Sequence, residues 1–273
     1  MDFNETLQYL YDSLPVYQRI GSAAYKANLD NTRALDSHFG HPHRRYLSIH
    51  IAGTNGKGSV SHMIASVLAE AGYVTGLYTS PHLREFTERI KVNGKPAEQD
   101  YVVSFVENNR GILEHLRPSF FEMTVAMAFD YFALQKVDVA VIETGMGGRL
   151  DSTNIITPEL SVITNIGLDH TQFLGPDLRS IAAEKAGIIK EGVPVVIGEK
   201  DEITSNLFIE AAEKRNSEIW FADDRYMALL GKIDYKRGIA TTDIFKDGMP
   251  LFRKLEFPLP GRYQEKNIQT VMQ

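Results

Sequence analysis

Apolar residues recur along the chain with two different periods, and the alternation between them outlines most of the elements. Phe3, Leu7, Leu10 and Leu14 fall on one helical stripe, which Pro15 ends. A second short helical stretch stops near Gly40 and Pro42. Residues 46–52 then form a run of apolar and β-branched side chains that leads into a glycine-rich turn. Val60, Met63, Ile64, Val67, Leu68 and Ala71 return at helical spacing until Gly72 breaks the pattern. The same alternation predicts a strand at 77–79, a hairpin at Asn93-Gly94, helices near 98–116 and 120–135, and strands at 137–142 and 160–164. A helix around 177–189 and a strand at 193–197 follow.

Strands that are almost continuously apolar and separated by helices indicate a mostly parallel sheet covered on both faces. The expected fold class is therefore α/β, a doubly wound sheet. Beyond about residue 218 the pattern changes to short strands around an Asp247-Gly248 turn, so a small antiparallel appendage is expected at about 218–260. A last helical pattern opens at Tyr263, after Pro258-Leu259-Pro260-Gly261, and runs to the end of the chain.

The length of 273 residues fits one large α/β unit or two small ones. With 43% apolar and 23% charged residues, the chain reads as neither disordered nor collagen-like. No run approaches the roughly 18 apolar residues that span a bilayer, and the first residues lack the parts of a signal peptide, so no membrane partner and a cytoplasmic location are expected. The absence of cysteine removes disulfides, thiolate metal sites and cysteine nucleophiles. A net charge of −6 without a basic run beyond Arg44-Arg45 argues against nucleic acid. A monomer is expected.

Four segments carry candidate chemistry. Gly53-Thr54-Asn55-Gly56-Lys57-Gly58-Ser59 lies between a predicted strand and the helix it opens. Glycines there let backbone N–H groups face phosphate oxygens, the helix start adds partial positive charge, and the lysine reaches the outer phosphates. The segment departs from G-x-x-x-x-G-K-[ST], because Ile51 stands at the first glycine and Gly58 separates Lys57 from Ser59. The competing reading is an ordinary glycine turn. Glu143 ends a predicted strand, where an open α/β sheet binds ligands and a carboxylate can hold Mg²⁺; alternatively it is a solvated strand end. His170 closes the loop Thr164-Asn165-Ile166-Gly167-Leu168-Asp169-His170, as a cation or phosphate contact or as a hydrogen-bonded surface residue. Composition alone does not single out Lys185, within Glu184-Lys185-Ala186-Gly187-Ile188. The cluster of His38, His41 and His43 reads as solvated loop around Pro42, and Phe120, Phe121, Tyr131 and Phe132 read as core.

These segments, with Thr79-Ser80-Pro81-His82-Leu83, Ser119-Phe120-Phe121-Glu122, residues 143–154 and Gly261-Arg262-Tyr263-Gln264 followed by Asn267, resemble the N-terminal domain of the folylpolyglutamate synthase and dihydrofolate synthase family of Mur-type amide ligases. The phosphate loop alone also admits cell-wall ligases of that class. The resemblance implies an ATP-dependent ligase that joins glutamate to dihydropteroate or a folate and gives ADP and phosphate. It implies that Gly53, Thr54, Asn55, Gly56, Lys57, Gly58 and Ser59 hold the ATP phosphates and that Asn267 contacts adenine. Ser59 and Glu143 share one Mg²⁺ on this likeness, and Ser80, Glu143 and His170 position a second. Lys57, His170 and Lys185 are the expected catalytic residues, with Lys185 carbamylated and thereby an oxygen ligand to metal. His82, Phe121, Asp151 and Ser152 fall in the region that holds the pterin-bearing substrate; Ser152 stands where the family commonly has alanine. The family carries a second α/β domain after the adenine-contacting helix. None of these residues forms it, so the expectation is a 1–273 ATP-binding domain without its amino-acid-binding partner. The alternative is a nucleotide- and pterin-binding module without turnover.

Overall fold

The computed structural model describes residues 1–15 and 28–273. α1 (Phe3–Ser13) is opened by a reciprocal cap in which the Asp2 carboxylate accepts from the Glu5 N–H, and α2 (Asp30–His38) follows. Then come β1 (Leu47–Ala52), α3 (Lys57–Glu70), β2 (Thr75–Tyr78) and the hairpin of β3 (Ile90–Val92) and β4 (Lys95–Pro96). α4 (Gln99–Leu116) and α5 (Phe120–Leu134) lead to β5 (Val139–Glu143) and β6 (Leu160–Ile163). A single turn, α6 (Thr171–Leu174), precedes α7 (Leu178–Ala186), β7 (Val195–Ile197), α8 (Ser205–Glu213), β8 (Ile219–Phe221) and the short α9 (Ala222–Arg225). The chain closes with β9 (Tyr226–Asp234), β10 (Ile239–Lys246), β11 (Met249–Phe257) and α10 (Gln264–Met272).

Among the described residues the strands order as β4-β3-β2-β5-β1-β6-β7-β8 in one sheet and β11-β10-β9 in another. The first is mostly parallel and the second antiparallel, as the hydrophobic pattern predicts. The antiparallel part begins at Tyr226 rather than near 218, because β8 pairs parallel with β7 and so belongs to the main sheet. β8 has only three residues, too few for periodicity to separate the two cases. Among the described residues no helix is long and apolar enough to cross a membrane.

Two compact units share this chain. Of the described residues the first comprises 1–15, 28–48, 65–146 and 150–157; the second comprises 49–64, 147–149 and 158–273. The core of the first unit is built on α5, which is apolar on all sides and buried nearly throughout, as a helix must be when every face meets protein. Phe129 and Phe132 are fully buried there, each worth about 1.5–3 kcal/mol over exposure. Phe120 and Tyr131 are also core, and Phe121 is half-buried at its edge. His41 and His43 depart from the solvated-loop reading, because their Nδ1 atoms pair with the two oxygens of Asp36 at 2.6 and 2.7 Å. His43 is buried, which pushes its imidazole below the usual range.

The second unit has one apolar layer between the strands and helices of its parallel part, including Ala52, Ile163, Ala182, Ile197 and Phe208. Another lies where Tyr226, Ala228 and Ile244 of the antiparallel sheet meet Ile268 of α10. At the start of β9 buried and exposed positions alternate, and along β10 buried and half-buried ones do, the sign of a sheet with one covered face, whereas β11 is almost wholly exposed. Arg253, Lys254 and Glu256 keep that edge polar.

Candidate active-site loops

Strand register decides which loops meet. In the second unit Ala52 pairs with Ile163, and Ile163 with Ile197, so β1, β6 and β7 all end at one level. Their carboxyl-end loops therefore lie side by side, the place where open α/β sheets bind ligands. The Thr54 N–H donates to the Asn165 carbonyl at 2.9 Å, the Asn55 N–H to Asn165 Oδ1 at 2.9 Å, and the Asn165 amide to Glu199 Oε1 at 3.0 Å. Thr54 Oγ1 accepts the Gly167 N–H at 2.9 Å. The glycine loop is thus stitched to the loops after β6 and β7.

Lys57 begins α3, so the N–H groups of Lys57, Gly58 and Ser59 have no partner within the helix and present partial positive charge. Gly56 adopts φ +83°, and a Cβ there would meet Asn267 Oδ1 at 2.2 Å. The glycine is required both by its backbone and by the approach of Asn267. Lys57 Nζ donates to the carbonyls of Gly53 and Thr54 at 3.1 and 3.2 Å. Lys185, buried on α7, donates from Nζ to the same Gly53 carbonyl at 2.7 Å. Two lysine side chains thus converge on one carbonyl oxygen of the loop. Asn267 and Gln264 are buried at the start of α10; the Asn267 amide donates to Gln264 Oε1 at 2.7 Å, and the Gln264 amide to Ser59 Oγ at 3.3 Å. His170 sits at φ +48°, half-exposed, with its Nε2 at 3.7 Å from Asp169 Oδ2.

In the first unit Tyr78 pairs with Ile142, which sets Thr79 and Ser80 beside Glu143. Glu143 is buried at the end of β5, and its Oε2 accepts the Ser80 N–H at 3.1 Å. Asp151 is buried too, and its Oδ2 accepts the N–H groups of Gly145 and Met146 at 2.8 and 2.9 Å. Its Oδ1 accepts the N–H and hydroxyl of Thr153. Burial pushes the Asp151 carboxyl up, and these donors partly offset the rise. Ser152 is buried beside it. Phe121 packs against Gly145, where a Cβ would meet the ring at 2.5 Å. His82 Nδ1 accepts from Nε of the buried Arg89 at 2.7 Å; burial, then the guanidinium, hold its imidazole below the usual range.

The five residues that the resemblance assigns to magnesium are divided between the units: Ser80 and Glu143 in the first, Ser59, His170 and Lys185 in the second. Among the described residues no group of three or more histidine and carboxylate side chains is gathered for a metal ion. A buried carboxylate at a strand end and a hydroxyl at a helix start are nevertheless hard oxygen donors of the kind Mg²⁺ takes, so the residues present fit that ion. Sequence reasoning did not single out Gln264, Asn165 or Glu199 as site residues. Gln264 stood within a recognised segment; nothing local marked Glu199, whose role depends on strand register.

A doubly wound sheet with a glycine loop after one of its central strands, and side chains from a later helix against that loop, define a domain of the Mur ligase class. Residues 51–272 match the family model described as the Mur ligase middle domain, and the chain belongs to that family. Within the family its likeness is to the folylpolyglutamate and dihydrofolate synthases. It is 37% identical to the folylpolyglutamate synthase of Lacticaseibacillus casei, over 100% of this chain and 63% of that protein. Over 63% of this chain and 41% of that protein, it is 47% identical to the dihydrofolate synthase/folylpolyglutamate synthase of Bacillus subtilis. The fold superposes on the structure of an FPGS–AMPPCP–folate complex with a TM-score of 0.89 and 34% identity, covering 100% of this chain and 66% of that one. The chain thus spans less than two thirds of the length of each of these proteins.

Proposed function

We propose that the protein binds MgATP at the Gly53–Ser59 loop and serves an ATP-dependent ligase reaction that joins glutamate to dihydropteroate or a folate, with ADP and phosphate as the other products. The observation that carries this reading is the placing of Lys57, whose Nζ lies against the Gly53 and Thr54 carbonyls, at a helix start whose first N–H groups have no partner within the helix. The likeness to a structure holding an ATP analogue and folate supports the choice of ligands.

A carboxylate is a poor acyl donor at neutral pH. In the proposed reaction an oxygen of the acceptor carboxylate attacks the γ-phosphorus, the bond to ADP breaks, and an acyl phosphate forms. The glutamate amine then attacks the acyl carbon, phosphate leaves, and a proton passes from nitrogen to solvent. Lys57 and the N–H groups of Lys57, Gly58 and Ser59 hold the phosphates and offset the charge on the transferring group. Asn267 orients the base. His82, Phe121, Asp151 and Ser152 hold the pterin-bearing acceptor. On the same likeness Ser80 and Glu143 of the first unit, and Ser59, His170 and Lys185 of the second, would each serve as ligands to Mg²⁺, which would supply charge neutralisation at the phosphoryl oxygens.

Lys185 serves this role as a carbamate. The ammonium first gives a proton to solvent; the neutral amine then adds to the carbon of CO₂ and loses a second proton, which leaves a carbamate anion beside the Lys57 ammonium. That change turns repulsion toward Lys57 into attraction and creates oxygen ligands. A carbamate ¹³C resonance under ¹³CO₂, lost in Lys185→Arg, is the expected outcome.

The test of the whole reading is calorimetry with AMPPCP and Mg²⁺, paired with a phosphate-release assay containing ATP, glutamate and dihydropteroate or tetrahydrofolate. Binding that Lys57→Ala weakens, with phosphate release requiring both acceptor and glutamate, supports it. Binding without turnover reduces the protein to a nucleotide- and pterin-binding module. Release driven equally by a muramoyl nucleotide replaces the folate reading with a cell-wall ligase.

A further inference from the structure

We infer that Gln264 is a positioning residue that links the base end of the nucleotide site, at Asn267, to the cation end, at Ser59; this rests on the proposed MgATP reading of that loop. Gln264 is buried, at 2% exposure, and its two amide atoms have different partners. Oε1 accepts from Asn267 Nδ2 at 2.7 Å, and Nε2 donates to Ser59 Oγ at 3.3 Å. The first contact fixes the amide orientation, because only the oxygen can accept from Asn267. With the oxygen committed, the nitrogen must face Ser59.

A serine hydroxyl has one proton and two acceptor lone pairs. The bond from Gln264 occupies one lone pair, and the hydroxyl proton has to point away from that donor. The remaining lone pair is thereby given a direction before any ligand arrives, and a cation ligand needs just such a pre-set lone pair. Asn267 in turn is held against the loop, since its Oδ1 lies where a Cβ on Gly56 would fall. Anything that shifts the Asn267 amide, adenine included, alters the acceptor load on Gln264 and through it the direction of the Ser59 hydroxyl. The relay lies wholly within the second unit. It gives the loop a means of binding Mg²⁺ better when the polyphosphate it holds carries a base.

The experiment measures, by calorimetry on the full chain, the ratio of dissociation constants without and with Mg²⁺ for two probes: AMPPCP, and inorganic tripolyphosphate, which has no base. Gln264→Met should lower the Mg²⁺ enhancement for AMPPCP by about three- to tenfold, the range of one lost hydrogen bond, with Mg²⁺-free binding nearly unchanged. Asn267→Ala is the sharper variant. Tripolyphosphate cannot touch a base contact, so a fall of similar size in its Mg²⁺ enhancement, with its Mg²⁺-free binding unchanged, travels through Gln264; a disturbance passed through the Gly56 approach would weaken Mg²⁺-free binding as well. Thermal melting shows that each variant is folded, and Asn267→Ala carries the test by itself if Gln264→Met does not fold. Enhancement ratios unchanged in both variants, with wild-type AMPPCP binding normal, overturn the relay and leave the MgATP reading standing. Wild-type protein that binds no AMPPCP overturns both.

Discussion

The loops that leave β1 and β5 are alike in composition and opposite in how they use their backbone. Both follow a buried parallel strand and both are rich in glycine. After β1 the chain turns into α3, and the N–H groups of that first turn are left without a partner in the helix. After β5 the N–H groups of Gly145 and Met146 are taken by the Asp151 carboxylate six and five residues further on. One loop is built to receive an anion; the other carries its own. The internal anion is costly, since burial raises the Asp151 carboxyl, and four donors are arranged to hold it. Substitutions in the two loops should therefore fail differently.

The largest effect is expected at Asp151. Asp151→Ala strands the N–H groups of Gly145, Met146 and Thr153, and the loss should reach about 3 kcal/mol in urea unfolding. A loss below about 1 kcal/mol would show that the β5 loop does not depend on its internal anion, and the contrast would collapse. Next is Lys57→Ala, which touches only backbone carbonyls of its own loop in the free protein. Its melting point should hardly move, while AMPPCP affinity falls about 30-fold, the worth of a charge-assisted contact of about 2 kcal/mol. Equal damage to stability and affinity would mean that the lysine is a structural strut of the loop.

The strands beneath the loops differ as well. β1 carries His50, fully buried in the second unit, where burial, then Lys190, lower its pKa to about 3. β5 has no titratable group before Glu143. In the unfolded chain His50 takes up a proton as pH falls below about 6.5, whereas the folded protein keeps it neutral to about 3. The unfolded state then binds more protons, so stability is lost as pH falls through this window, by about 2 kcal/mol between neutrality and pH 5. Urea midpoints at pH 7.5 and 5 should show that slope in wild type and a shallower one in His50→Phe. Asp151 works in the opposite sense: with its folded pKa raised, the folded state takes up a proton before the unfolded chain does, and acid relieves the burial of its charge. A slope unchanged by His50→Phe would assign the pH dependence to other groups.

The two loops were not equally legible. Glycines, a lysine and a hydroxyl at a strand-to-helix junction have few other uses, so Gly53–Ser59 stands out in the sequence, and periodicity finds the strands and long helices around it. What periodicity cannot supply is contact at long separation. Gln264 meets Ser59 across 205 positions, and Asn165 meets Asn55 across 110. Short elements escape for a related reason: the three residues of β8 are parallel and in the main sheet only because β7 lies beside them. His43 resembles a surface histidine until Asp36, seven residues earlier, is seen to reach it. The anion-carrying loop hides its logic in the same way, because Asp151 looks like one more polar residue until the backbone folds back on it.

The smallest effect sharpens the contrast at the level of ligand choice. Gly145 lies against Phe121, and a methyl group there would press on the far edge of the ring, which can tilt away. Gly145→Ala should therefore cost only about 1 kcal/mol of stability. Phe121 is half-buried and falls in the region proposed to hold the pterin-bearing acceptor, so a tilted ring should weaken dihydropteroate or folate binding a few-fold, about 1 kcal/mol. The β1 loop belongs to the other unit, and AMPPCP affinity should stay at its wild-type value. Calorimetry with each ligand in turn separates the outcomes. A parallel fall in both affinities would show that the loops act as one body, and the division between a loop that receives an anion and a loop that contains one would have to be abandoned.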